Sequence, residues 1–101
     1  MNKKALAVEE LYRRYAAGER DFPEVDLSRA NLNVAGVGDI RHLQPGQNEW
    51  SGINLSGANL TRAKMSHVNL SAANLSRANL DSATLSGTIL TAANLRKAIL
   101  D

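Results

Sequence analysis

The chain has 101 residues, of which 44% are hydrophobic and only 4% aromatic, and its formal net charge is +2. This length fits one domain, and the net charge is too small to indicate a nucleic-acid or membrane partner. Cysteine is absent, which excludes disulfides and thiolate metal sites. No stretch approaches the roughly 20 apolar residues of a membrane span, and the apolar run near the start ends at Glu9, too early for a signal peptide. We therefore expect a cytoplasmic protein.

Residues 1–19 predict a capping α-helix, with its helical pattern over 3–17. Five apolar side chains form a stripe along it: Leu6, Val8, Leu11, Tyr12 and Tyr15. Glu9 with Arg13 and Glu10 with Arg14 are favourable pairs at a spacing of i,i+4. Gly18 is suited to the position just after the helix end. A helix here would cover the edge of whatever structure follows it.

Residues 20–101 consist of five-residue repeats. The first place of each repeat is small or β-branched, the second is usually Asn, and the fourth is usually Ser or Thr. The third place is apolar, and we expect the third-place side chains to stack in the core: Phe22, Leu27, Leu32, Val37, Leu55, Leu60, Met65, Leu70, Leu75, Leu80, Leu85, Leu90, Leu95 and Leu100.

A period of five fits neither an α-helix nor a continuous strand. On a helix, five residues advance the position by about 140°, which would scatter the leucines around the surface. On a strand, an odd spacing would place successive leucines on opposite faces. The chain must therefore turn once per repeat, with the first and third side chains on one face and the polar fourth and fifth residues at a corner. The period alone does not determine how many sides close a coil.

The repeat register breaks once, at a predicted loop over residues 40–47. Val25 and Ile53 both occupy first places but lie 28 residues apart, so three residues are in excess of a multiple of five. Pro45 and Gly46 form a turn signal within this stretch. The pattern resumes with Trp50 at a third place.

Five segments carry a sequence signature of the form A(N/D)LXX, and they begin at Ala30, Ala58, Ala73, Ala78 and Ala93. These motifs resemble the pentapeptide-repeat family, and the helix followed by residues 15–22 resembles a leader found in members from photosynthetic bacteria. The resemblance implies an all-β solenoid, a right-handed quadrilateral β-helix with four repeats per coil, capped by the N-terminal helix. Coils would then stack at ~4.8 Å. Asn54, Asn74 and Asn94 would align in a column, where we expect their amides to hydrogen-bond along the stack.

The best understood members of the family imitate DNA with a strongly acidic surface, dimerise through their C-terminal coils and bind DNA gyrase. From Arg20 onward this chain has eight basic and seven acidic residues, so it lacks the rows of negative charge that such imitation needs. We therefore expect a non-enzymatic protein-interaction or assembly scaffold, with a gyrase-binding DNA mimic as the disfavoured alternative. An acidic column would mark the mimic, and converging His, Asp and Glu residues would mark an enzyme.

No residue pattern predicts a catalytic, metal or cofactor site, because His42 and His67 are the only histidines and no carboxylate cluster accompanies them. The candidate interaction surface comprises Arg41, His42, Trp50, Arg62, Lys64, Arg77, Arg96 and Lys97. Two alternatives stay open, namely that Trp50 fills the core and that the cations are scattered solvated charges. We expect an unidentified protein partner, with neither nucleic acid nor membrane. The uncovered final coil predicts an end-to-end homodimer, unless the chain is a fragment of a longer solenoid.

Overall fold

A computed structural model describes residues 4–33 and 48–100. Its regular elements are short: strand β1 is Lys4–Ala5, helix α1 is Val8–Ala16 and strand β2 is Val25–Asp26. The other repeats pair through single bridged residues, because the chain turns again after each short extended stretch. Hydrogen bonds between coils, and not long strands, therefore hold the architecture.

Each coil has four sides. Parallel bridges join second-place residues 20 positions apart in four columns, namely Asn54–Asn74–Asn94, Asn59–Asn79–Ile99, Lys64–Thr84 and Asn69–Ile89. On the first of these sides, the Leu55 N–H donates to the Asn74 carbonyl over 2.8 Å, and the Asn74 N–H donates back to the Ile53 carbonyl over 2.9 Å. One circuit per four repeats confirms the quadrilateral β-helix implied by the family resemblance.

The corners of the coils are β-turns. The carbonyl of a third-place residue accepts a hydrogen bond from the next first-place N–H, as Leu55 does from Ala58 over 3.0 Å. The fifth-place residue between them has a positive φ, for example 59° at Ala72 and 61° at Arg77, which identifies a type II turn. Among residues 4–33 and 48–100, nine non-glycine residues adopt this left-handed conformation, and all of them are at the fifth place. The corner therefore imposes the same backbone strain on many different side chains.

The second-place asparagines stabilise the corner that follows each of them. The Asn54 Oδ1 accepts the Ser56 N–H over 3.1 Å, and the Asn74 Oδ1 accepts the Ser76 N–H over 3.1 Å. The columns of asparagines are aligned as expected, but the predicted hydrogen bonds from amide to amide are not found among the described residues. The expectation was wrong because the side-chain oxygen is directed to its own turn, where a local hydrogen bond is available without any neighbouring coil.

The core is a stack of apolar side chains along the solenoid axis. The buried third-place residues are Phe22, Leu27, Leu32, Trp50, Leu55, Leu60, Met65, Leu70, Leu75 and Leu80, accompanied by first-place residues such as Ala58 and Ala78. Leu85, Leu90 and Leu95 are half-buried, since no described coil follows them. Leu100 is 56% exposed and does not stack in a closed core. Val37 lies outside the described residues.

The register break lies between Asn31 and Glu49. Asp21, Asp26 and Asn31 of the first coil pair with residues 33 positions later, whereas Glu49 pairs with Asn69, 20 positions later. The stretch of sequence from Asn31 to Glu49 is therefore 13 residues longer than one regular repeat, the difference between 33 and 20. When 13 is divided by the repeat length of five, the remainder is three, which is the excess that the spacing of the repeats predicts. The predicted loop at 40–47 itself lies outside the described residues.

The N-terminal segment covers the first coil in two ways. Strand β1 pairs in parallel with β2, with Lys4 opposite Val25 and Ala5 opposite Asp26, and so extends one side of the coil upward. Helix α1 then lies over the core and buries Leu11 completely. The predicted helix was too long at its start, because the residues before Val8 pair with the open edge of the coil instead of continuing the helix.

The end of α1 is a Schellman turn. The Glu19 N–H donates to the Arg14 carbonyl over 3.0 Å and the Gly18 N–H donates to the Tyr15 carbonyl over 2.9 Å, with φ of 106° at Gly18. This turn brings Glu19 back against Arg14, whose guanidinium donates to both carboxylate oxygens over 2.9 and 2.7 Å. These hydrogen bonds hold the pKa of the Glu19 carboxyl below its usual range and raise the pKa of Arg14.

The predicted i,i+4 pairs on the helix are not formed. Arg14 is engaged by Glu19 beyond the helix end, and Glu10 pairs with Arg13 one residue closer than expected. The sequence pattern could not show the return of Glu19, because that return depends on the turn made at Gly18.

Candidate functional site

Trp50 is part of the core and not of an exposed surface. Its side chain is 0% exposed, because the insertion places Trp50 at the third place of the fourth side of the first coil, beneath helix α1. The rings of Tyr12 and Tyr15 pack on it with centroid distances of 6.1 and 5.3 Å. Its indole N–H donates to the Leu32 carbonyl over 3.0 Å, so the polar group is satisfied. The inclusion of Trp50 in the candidate interaction surface is therefore corrected.

Tyr15, one of the two tyrosines that pack on Trp50, also holds the helix against the first coil. The Tyr15 hydroxyl donates to the Ser51 carbonyl over 2.6 Å, and the Arg20 guanidinium lies 3.6 Å from the centroid of the Tyr15 ring. These contacts hold the helix, the start of the first coil and the residues that follow the insertion together at the N-terminal end of the β-helix. This end of the molecule is consequently a stabilising cap.

Of the two histidines of the chain, His67 is the one that lies among the described residues. Arg41 and His42 lie outside the described residues. His67 is an exposed corner residue with φ of 64°, and its ring occupies the space that a Cβ at Gly87 would need. Within residues 4–33 and 48–100, no three His, Cys, Asp or Glu side chains form a group that could hold a metal ion.

Three of the predicted cations do come together. Arg77, Arg96 and Lys97 line one open groove of about 250 Å³ together with Ser76 and Asn94, and we call these five residues the basic groove. Arg77 and Lys97 occupy the same corner on successive coils, and the Arg77 N–H donates to the Arg96 carbonyl over 2.9 Å. The expected stacking of these cations therefore follows from the ladder that joins the two coils.

Arg62 belongs to a different groove, where its neighbour is a cation that the sequence did not single out. Arg29 and Arg62 line this second groove with Asp81 beside them. Arg29 stands one coil above Arg62, as the pairing of Asp26 with Asn59 shows. Their separation of 33 residues concealed this relationship, because a column is recognised in the sequence by a spacing of 20. The one sequence feature that indicated their alignment is that Arg29 and Arg62 are both fifth-place residues.

Lys64 is separate from both grooves. It is a second-place residue on the side that follows, paired with Asn31 above and Thr84 below, and it lines a third groove with Ser66. The predicted surface is thus divided among three grooves around the coil and is not one continuous patch.

The cations of the β-helix are unpaired within the described part of the chain. Its only ion pairs are those of Arg13 with Glu10 and Arg14 with Glu19, at the N-terminal helix. Residues 53–100 contain five Lys or Arg residues and a single carboxylate, Asp81. In contrast, the acidic residues of the coils are concentrated in the first one, at Asp21, Glu24, Asp26 and Glu49. The later coils therefore present a locally basic surface although the whole chain is nearly neutral.

In the ranges that the structure describes, no helix is long and apolar enough to cross a membrane.

Solved structures that are similar to this chain include two pentapeptide repeat proteins. One is HetL, a pentapeptide repeat protein involved in heterocyst differentiation regulation from the cyanobacterium Nostoc sp. strain PCC 7120, with 36% identity over 80% of this chain and a TM-score of 0.47. This chain spans 30% of the HetL chain. The other is alr5209, a pentapeptide repeat protein from Nostoc PCC 7120, with 34% identity, a TM-score of 0.48 and coverage of 100% of this chain and 76% of that one. Among curated proteins, none matches the sequence.

The model of a family described as pentapeptide repeats matches residues 49–77 and 73–101, with eight copies of the repeat. These matches span more than half of the chain and coincide with the region of regular bridges. The chain therefore belongs to the pentapeptide-repeat family, whose members form right-handed quadrilateral β-helices and generally serve as structural or interaction scaffolds.

Proposed function

We propose that this chain is a non-enzymatic scaffold that binds another protein through the outer walls of its β-helix. The proposal rests on one observation, namely that hydrogen bonds between the coils fix the backbone from which the outward side chains extend. On one wall, the Asn74 N–H donates to the Ile53 carbonyl of the coil above, and the Leu75 N–H donates to the Asn94 carbonyl of the coil below, over 2.9 and 2.8 Å. Side chains in one column are consequently held at the coil spacing of ~4.8 Å.

Such a wall suits recognition because it is ordered before the partner arrives. A partner that binds a flexible surface must also offset the conformational entropy lost on ordering it, and a rigid surface avoids most of that cost. The wall side chains are mainly Asn, Ser, Thr and charged residues, as at Asn74, Ser76 and Arg77. We therefore expect an interface held by hydrogen bonds and bridging waters more than by buried apolar area.

The test is affinity capture of partners from the native cell lysate, followed by cross-linking and mass spectrometry. We expect a stoichiometric partner cross-linked through the wall lysines Lys64 and Lys97. Purified partner should lose binding when wall residues are substituted, and it should bind normally when the exposed helix residue Arg13 is changed to Gln as a matched control. The absence of a stoichiometric partner, or a partner that depends on the helix and not on the walls, would contradict the proposal.

A further inference from the structure

We propose that the basic groove binds an acidic segment of a polypeptide, with carboxylates of the segment pairing with Arg77, Arg96 and Lys97. This inference rests on the proposed scaffold function and assigns it a site and a partner chemistry. The groove is the place where the structure brings three wall cations together.

The backbone fixes the arrangement of these cations. Arg77 and Lys97 stand at equivalent corners one coil apart, so their backbones are separated by the coil spacing of ~4.8 Å. Arg96 precedes Lys97 in the same turn, and the Asn94 Oδ1 accepts the Arg96 N–H over 3.0 Å. The three cationic side chains therefore extend from a backbone that does not need to rearrange when an anion binds.

The groove has positive charge available for a ligand. Within the described residues, none of its three cations forms an ion pair, and Asp81, the single carboxylate of residues 53–100, lines the neighbouring groove of Arg29 and Arg62. Arginine is suited to this role because its planar guanidinium can donate two parallel hydrogen bonds to one carboxylate.

The small number of cations in the groove favours an acidic polypeptide over a nucleic acid. An extended peptide places alternate side chains on one side at intervals of roughly 7 Å, so a short segment can bring two or three carboxylates within reach of the long side chains of the three cations. A DNA duplex carries one charge per about 1.7 Å, and a protein that binds it through its backbone can make about 6–10 phosphate contacts. Three cations on one corner fall well short of that number.

The test measures fluorescence anisotropy of a labelled ten-residue peptide of alternating Glu and Ser residues, titrated with the full chain at low ionic strength. The double variant R77Q/K97Q removes two corner cations of the basic groove. The matched control R29Q/R62Q removes two cations from the equivalent corner positions of the neighbouring groove, where Asp81 already lowers the local positive charge. Thermal melting followed by circular dichroism establishes that both variants are folded.

We expect R77Q/K97Q to weaken peptide binding about tenfold, the effect of losing two exposed charge pairs. The control should weaken it twofold or less. Equal weakening by both variants, no measurable binding by the parent chain, or tighter binding of a labelled 20-base-pair DNA duplex would each overturn the proposal. A lysate partner that binds the walls but is insensitive to R77Q/K97Q would refute the groove and leave the scaffold function standing.

Discussion

Replacement of Ala72 by Gly should stabilise this protein, although glycine destabilises most positions of regular structure. Ala72 is exposed at a corner, has φ of 59°, and its N–H donates to the Thr91 carbonyl over 2.8 Å. The side chain therefore contributes little packing, while its Cβ is held in the left-handed region that glycine adopts freely.

The magnitude follows from two opposing terms. Relief of the left-handed conformation contributes about 1–2 kcal/mol, and the larger backbone freedom of glycine in the unfolded chain costs about 0.5–1 kcal/mol. The net expectation for Ala72→Gly is a free energy of unfolding raised by about 0.5–1 kcal/mol. The adjacent Ala73 has no positive φ and is buried, so Ala73→Gly loses a buried methyl group as well as backbone entropy. We expect that control to lower the free energy of unfolding by about 1.3–1.8 kcal/mol.

The assay is urea and thermal unfolding of both variants and the parent, followed by circular dichroism. For a domain of this size, a change of 1 kcal/mol corresponds to about 4–8 °C in Tm. The two substitutions are chemically identical and adjacent in sequence, so opposite signs can come only from the backbone conformation and burial of each site. Destabilisation by Ala72→Gly as large as that by Ala73→Gly would refute the reasoning.

Four other predictions follow from the core, the helix end and the surface. Leu75→Ala in the closed core should cost about 2–5 kcal/mol in chemical denaturation, and Leu95→Ala in the half-covered coil should cost less; equal losses would contradict the assigned packing. Glu19 has a lowered pKa in the folded state, so its stabilising effect is present above pH ~4.3 and is lost as pH falls, and Glu19→Gln should flatten the acid limb of a stability–pH profile. DNA supercoiling assays should show no gyrase inhibition at micromolar protein, because the later coils are basic, and dose-dependent inhibition would favour DNA mimicry. Ile99 and Leu100 are 49% and 56% exposed, so light scattering should show self-association as concentration rises, whereas a constant monomeric mass would exclude the end-to-end dimer.

The sequence predicted those features that depend on residues close together in the chain. A period of five with Leu at the third place requires one turn per repeat, and the corners, the stacked core and the end of the helix at Gly18 all follow from local patterns. The number of sides came from the family resemblance, because the period of five does not determine how many repeats close one coil. The columns of the regular coils, such as Arg77 above Lys97, could then be predicted from a spacing of 20.

Only the tertiary structure decided what lies on either side of the insertion. The spacing of the repeats shows a remainder of three residues, which is the same for an insertion of three or of 13, so the sequence could not determine which side of the first coil Trp50 completes. Its burial beneath the helix and the alignment of Arg29 above Arg62 both depend on that length. The strand at Lys4–Ala5 was missed for a related reason, because its pairing partner exists only after the first coil has closed. Contacts between residues that are far apart in the sequence form only when the coils close and pack on one another. A local sequence pattern therefore does not predict them.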